Sequence, residues 1–95
     1  MKHPLSAPVA KRMILRILKE GVLRFSDHAY EEMANDDLDE ADVRNTLRGG
    51  FLKLVEERAL SWRYRFETYQ QAAVIAFRDE LTAVVVTAFR LKKKK

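Results

Sequence analysis

Charged and aromatic residues alternate between positions 62 and 69, in the segment of the sequence best suited to chemistry. A period of two predicts a β-strand with successive side chains of one face about 6–7 Å apart. One face would carry Arg63, Arg65, Glu67 and Tyr69. Guanidinium groups bind phosphate oxygens bidentately, and a carboxylate and a phenol could move protons beside them. A merely solvated outer face, with its charges in cross-strand pairs, would give the same pattern.

His28 is the second candidate for chemistry. It follows Ser26 in a predicted strand-to-helix junction and falls in the first turn of the helix. The positive end of the helix dipole favours the neutral imidazole there, and that form can accept a proton. A histidine that bonds a neighbouring carbonyl and holds the junction together would explain the same position.

The end of the last predicted strand offers a third group. Thr87 supplies a hydroxyl, and Arg90 lies where the strand leaves the sheet and a polyanion could approach. An arginine that ends a strand is usually just solvated. These two residues therefore indicate a functional site only in combination with His28 and the arginines at positions 63 and 65.

Several kinds of site are excluded or disfavoured by composition and spacing. The chain has no cysteine, which excludes disulfides, thiolate nucleophiles and cysteine-based zinc sites. The acidic run at 36–42 lacks the glycine and the closing glutamate of a calcium loop. No glycine-rich phosphate loop and no nucleophile elbow is present. We therefore expect neither a metal nor another cofactor.

Length and charge predict one small domain. The chain has 95 residues, of which 47% are apolar, enough for a single core over residues 1–91. Its net charge is +4, and four of its 18 basic residues form the run 92–95, so the remainder has 14 basic and 14 acidic residues. We expect that lysine tail to be disordered and solvated. Binding of a nucleic acid would then need a local basic patch.

The elements that position these residues are helices in the first half of the chain and strands in the second half. Helical periodicity begins at Val9, and three predicted helices end near positions 20, 34 and 48, with a short extended segment at 22–25. After Gly50 the period changes to two, and short turns separate four strands at 51–57, 62–69, 72–78 and 81–90. The sequence therefore predicts an α+β fold, two or three N-terminal helices packed on a four-stranded antiparallel sheet. No segment is long and apolar enough for a membrane helix, and we expect a cytoplasmic protein without a membrane partner.

The order of these parts resembles domain-of-unknown-function family 4258, a branch of the RelE-like toxin superfamily. The resemblance extends from about Ile14 to Arg90. It is carried by Phe-Ser-x-His-Ala at 25–29, Leu-Asp-Glu-Ala-Asp-Val at 38–43 before the Gly-Gly stop, the Arg-Tyr-Arg strand, and the terminal Val-Val-Val-Thr-Ala-Phe-Arg strand.

What the resemblance implies is a RelE-like fold and a toxin of a type II toxin–antitoxin pair. Such a toxin cleaves free or ribosome-bound mRNA without a metal, through attack of the ribose 2′-oxygen, and a cognate antitoxin protein inhibits it. The Ser-x-His of the family falls on Ser26 and His28, its strand arginine on Arg65, and its terminal threonine and basic residue on Thr87 and Arg90.

The sequence and the resemblance together predict an endoribonuclease toxin. Its catalytic residues would be His28, Arg65, Glu67, Tyr69 and Arg90, and its further RNA contacts Arg63, Arg78 and Thr87. One alternative is a non-catalytic protein-interaction module on the same fold, in which a sheet edge or a helix groove holds a partner chain. Another is a simple nucleic-acid binder without turnover.

Overall fold

Three helices and a five-stranded sheet make up residues 4–91, the part of the chain that the computed structural model describes. The predicted lysine tail at 92–95 lies outside the described residues. In chain order the elements are α1 (Ala7–Glu20), β1 (Val22–Phe25), α2 (Asp27–Asn35), α3 (Glu40–Gly49), β2 (Phe51–Arg58), β3 (Ser61–Glu67), β4 (Gln71–Asp79) and β5 (Thr82–Arg90).

The helices begin and end where local chemistry predicts. Ser26 accepts a hydrogen bond from the backbone of α2, and Asp39 and Asp42 form a reciprocal capping box at the start of α3. α1 is amphipathic and buries Ala10, Ile14 and Ile17. The α+β class, the three helices and the antiparallel order of β2 to β5 are thereby confirmed.

The prediction of a four-stranded, wholly antiparallel sheet is wrong, because Val22–Phe25 is itself a strand. The strand order is β1-β5-β4-β3-β2, with β1 parallel to β5 and the other pairs antiparallel. Gly21 allows this arrangement, since a Cβ at that position would lie 2.3 Å from the carbonyl oxygen of Leu81. Val22 N then donates to the same carbonyl at 2.8 Å and begins the parallel ladder.

The hydrophobic core lies on one face of the sheet. Tyr64, Phe66, Ile75 and Val85 face α1 and α3 and are almost completely buried. α1 is also tied to the end of α3, because the Nζ of Lys11 donates to the carbonyls of residues 47, 48 and 50. Burial lowers the pKa of Lys11. The opposite face of the sheet is left open for polar side chains.

α2 continues along β5 beyond the end of the short strand β1. Ser26 N donates to the carbonyl of Val85, and at the other end of the helix Arg90 N donates to Asp36. The helix thus lies beside the second half of β5 and borders the open face of the sheet.

The turn between β2 and β3 is strained. Ala59 and Leu60 have φ angles of 48° and 66°, in the left-handed region that two-residue hairpin turns require. Asn-Gly adopts this turn readily, whereas each residue with an ordinary side chain costs about 1–2 kcal/mol. Leu60 is 94% exposed, so burial does not offset that cost.

We predict that the double substitution Ala59→Asn with Leu60→Gly raises the free energy of unfolding by about 1 kcal/mol, because it relieves both left-handed residues. Urea unfolding would measure the change. Leu60→Ser is the matched control, since it removes the exposed leucine without favouring the left-handed conformation. A double variant no more stable than the parent would contradict this account of the turn.

Candidate functional site

A β-bulge in β5 decides which side chains reach the open face. Val74 is paired with Thr87 and Ile75 with Val85, so Val86 is an extra residue without an opposite partner. Val85 and Ala88 are both fully buried although they lie three positions apart. The bulge restores the alternation after Val86, and it directs Val86 and Thr87 together toward the open face.

Four strands contribute one row of side chains across that face. Leu54, Arg65, Val74 and Thr87 are successive register partners on β2, β3, β4 and β5. Neighbouring strands lie about 4.8 Å apart, so the row spans roughly 14 Å. All four residues line the same cavity. An apolar floor at Val74 thus separates an arginine from a hydroxyl.

The cavity has a volume of about 470 Å³, and arginines outnumber carboxylates in its lining. This volume is in the range of small-molecule sites. The lining residues are His28, Leu54, Glu56, Arg58, Arg63, Arg65, Val74, Val86, Thr87 and Phe89. Three arginines line the cavity with Glu56, and Glu67 pairs with Arg65 from behind, which leaves a formal excess of one positive charge without His28. Such a cavity favours anions even in a body with balanced charges.

Arg65 is held in place by two neighbours. Its Nε donates to Oε2 of Glu67 at 2.6 Å, and its guanidinium lies over the ring of Phe89 at 5.1 Å from the centroid. Both contacts restrict the side chain, and the charge-assisted bond is of the stronger kind. The two Nη groups donate to none of the residues 4–91. They are therefore available to an anion in the cavity.

His28 reaches the cavity because Ser26 joins α2 to the bulge. The Ser26 hydroxyl donates to the carbonyl of Val86 at 3.1 Å and accepts from Ala29 N at 3.0 Å. The first turn of α2 is thus fixed against the bulged part of β5, and His28 lies in that turn. His28 and Arg65 consequently border one cavity although they are far apart in the sequence.

The hairpin end of the cavity contains two further arginines. Arg58 pairs with Glu56 at 3.2 Å. Arg63 lies opposite Glu56 in the register of β2 and β3 but forms no ion pair with any described residue. Its Nε is buried and has no hydrogen-bond partner among residues 4–91.

Among the predicted site residues, the structure brings together His28, Arg63, Arg65 and Thr87 as cavity-lining residues, with Glu67 directly behind Arg65. Arg78 is exposed at a bulge of β4 and does not line the cavity. The catalytic and RNA-binding roles of these residues stay predictions.

Tyr69 does not continue the row of β3, contrary to the alternation predicted for 62–69. The strand ends at Glu67, because the hydroxyl of Thr68 accepts from Gln70 N and Gln71 N and turns the chain. Tyr69 is 85% exposed and borders a separate polar cleft with Asp42.

Arg90 also points away from the cavity. Its Nε donates to the carbonyl of Asp36 at 2.9 Å and its Nη2 to that of Asp37 at 3.3 Å. The left-handed backbone of Asp37 shapes the turn that receives these bonds. The contacts of Arg90 with described residues thus fasten the turn between α2 and α3 to the end of β5.

Sequence reasoning missed Arg58, which it assigned to a turn, and the apolar floor of the cavity. A two-residue turn at Ala59 and Leu60 would have revealed Arg58, because it places Arg58 two positions from Glu56 on the open face. Val86, which also lines the cavity, had no such signal, since a bulge is not visible in an apolar run.

Residues 4–91 contain neither a membrane-spanning helix nor a metal-binding cluster. No described helix is long and apolar enough to cross a membrane. No group of three or more histidine, cysteine or acidic residues within that part of the chain is arranged to hold a metal ion.

We predict that Ser26→Ala lowers the free energy of unfolding by about 1 kcal/mol, the usual cost of losing an N-cap. Urea unfolding would measure this, and NMR of the His28 ring would report its displacement. Ser6→Ala is the matched control, because Ser6 caps α1 without a side-chain hydrogen bond and should cost less. If both variants lower the free energy of unfolding equally and the NMR signal of the His28 ring does not shift, Ser26 does not position His28.

The comparisons with known proteins give a family but no characterised relative. The sequence model of a family described as "Domain of unknown function (DUF4258)" matches residues 25–90. That range contains every residue of the cavity and omits α1. Neither the curated proteins nor the solved structures contain a match. Because the match covers more than half of the chain, this protein belongs to domain-of-unknown-function family 4258.

Proposed function

We propose that this chain is a metal-independent endoribonuclease, the toxin of a type II toxin–antitoxin pair. One observation carries the proposal: His28 borders the same cationic cavity as Arg65, whose Nη groups donate to no described residue. Phosphodiester cleavage needs a group that accepts a proton and a fixed positive charge at the phosphate. The cavity offers both on a sheet whose other face is the protein core.

In the proposed reaction the imidazole of His28 takes the proton of a ribose 2′-hydroxyl. The 2′-oxygen then forms a bond to phosphorus, and the bond from phosphorus to the 5′-oxygen breaks. The leaving 5′-oxygen takes a proton from solvent, and the products are a 2′,3′-cyclic phosphate and a 5′-hydroxyl. Arg65 stabilises the additional negative charge on the phosphorane oxygens.

Glu67 acts in this proposal as a positioning residue. Its carboxylate holds the Nε of Arg65, and only 12% of its side chain is exposed. Thr87 lies two strands away from Arg65 in the row and can donate to a phosphate oxygen. Tyr69 and Arg90 have no part in the reaction, because neither borders the cavity.

The wider setting of the proposal follows the family resemblance. Helices followed by an antiparallel meander support assignment to the RelE-like fold. The substrate would be mRNA in the cytoplasm, and a cognate antitoxin protein would inhibit the enzyme. Because three arginines line one cavity, an acidic segment of that antitoxin could occupy it in place of RNA.

We predict that His28→Ala and Arg65→Ala each lower the rate of RNA cleavage by about 100-fold or more, as expected for loss of acid–base or electrostatic catalysis. Cleavage of a labelled single-stranded RNA in the presence of EDTA would be measured with purified protein. Growth of bacteria after induction would be recorded in parallel. Arg12→Ala is the matched control, since Arg12 is exposed on α1.

The parent chain should cleave RNA and arrest growth, the control should behave like the parent, and the two site variants should do neither at equal protein levels. A folded parent that neither cleaves RNA nor arrests growth would refute the proposal. Equal activity of parent and site variants would show that the cavity is not the active site.

The protein-interaction module is the second candidate function, and the edge strand β2 favours it. Among the described strands β2 pairs only with β3, and its Phe51 and Leu54 are exposed apolar residues. An unpaired edge with exposed apolar side chains can accept a partner strand. The measurement is co-purification with the protein encoded next to this chain. Its loss in the double variant Phe51→Ser with Leu54→Ser, but not in His28→Ala, would support this function.

A further inference from the structure

Half of the cavity has no part in the proposed reaction. The single phosphate that reacts needs only the end formed by His28, Arg65 and Thr87. Arg58 and Arg63 lie at the other end, beside the hairpin of β2 and β3. Their charge therefore requires its own explanation.

Arg63 has the properties of an anion ligand without its anion. Its neighbour Glu56 is engaged by Arg58, and Arg63 has no ion pair with any residue in 4–91. Its buried Nε also lacks an acceptor in that part of the chain. A buried donor without an acceptor is unfavourable, and a bound anion would supply the missing acceptor.

The two arginines of β3 are spaced as a pair. Arg63 and Arg65 point to the same face of the strand, and residues two positions apart lie about 6–7 Å from each other. The apolar side chains of Leu54 and Val74 adjoin Arg65 in the sheet. Two cationic positions next to an apolar floor suit a ligand with two anionic groups joined by an uncharged ring.

We propose that the cavity binds two successive phosphates of one single-stranded RNA. Arg65 holds the phosphate that is cleaved, and Arg63 holds a neighbouring one. The base of the nucleotide that joins them lies over the apolar side chains on either side of Arg65. This inference rests on the proposed function for the nature of the ligand, but it concerns binding and not turnover.

The test uses a 2′-O-methyl RNA trinucleotide, which has two phosphates and cannot be cleaved. Each phosphate in turn is replaced by an uncharged methylphosphonate, and binding to the full chain is measured by NMR titration. Either replacement should weaken binding to the parent about tenfold, as loss of one charge-assisted contact implies. In Arg63→Gln, replacement of the neighbouring phosphate should have no further effect, whereas replacement of the other should still weaken binding.

Salt dependence gives a second readout. The slope of log affinity against log salt should fall by about 0.7 in Arg63→Gln, the value for one phosphate contact of a single strand. Arg12→Gln should leave the slope unchanged. The two methylphosphonates also test the proposal on the parent alone, so the proposal stays falsifiable even if Arg63→Gln does not fold.

Two outcomes would overturn the inference. The first is that the parent does not bind the trinucleotide, or binds it equally well with either methylphosphonate. The second is that replacement of the neighbouring phosphate weakens binding equally in the parent and in Arg63→Gln. Two-phosphate binding without cleavage of ordinary RNA would instead refute the proposed enzyme and leave the two-phosphate site intact.

Discussion

One extra residue in β5 is the constraint on which the candidate site depends. Without the bulge at Val86, strict alternation would place either Val85 or Ala88 on the open face, and both belong to the core. The carbonyl of Val86 also receives the hydroxyl of Ser26, so the irregular point of the sheet is the point where α2 is attached. Core packing and the position of His28 are therefore set by the same local distortion.

The positions of Arg63 and Arg65 depend on β3, which is regular and is packed against the core on its other face. Tyr64 and Phe66 are almost completely buried on that side of β3, so Arg65 projects from a backbone that has little freedom. Gly50 contributes as well, because a Cβ there would lie 2.7 Å from the carbonyl oxygen of Glu67. The end of α3 can thus approach β3 closely beside the carboxylate that holds Arg65.

The sequence predicted those parts of the fold that rest on periodicity and capping. The change from a helical period to a period of two after Gly50 identified the meander, and Ser26 marked a strand-to-helix junction that the structure confirms. The extended segment at 22–25 was predicted, but its place in the sheet was missed, because four residues are too few to show alternation and its pairing depends on a distant contact with Leu81. In the site, the row at 63–67 followed from alternation alone. The prediction that Tyr69 belongs to this row was wrong, because the hydroxyl of Thr68 ends the strand. Periodicity does not reveal such a side-chain hydrogen bond.

The hairpin end of the sheet combines several features that lower stability in the unbound chain. Ala59 and Leu60 adopt left-handed conformations, and the Nε of Arg63 is buried without an acceptor among the described residues. These costs lie at the end of the cavity that holds an excess of positive charge. Since a ligand stabilises whichever state binds it, an anion bound to the folded chain would offset them, and the unbound chain would be the less stable form. Local strain beside a charged cavity is the pattern expected when the sequence is adapted to a bound state.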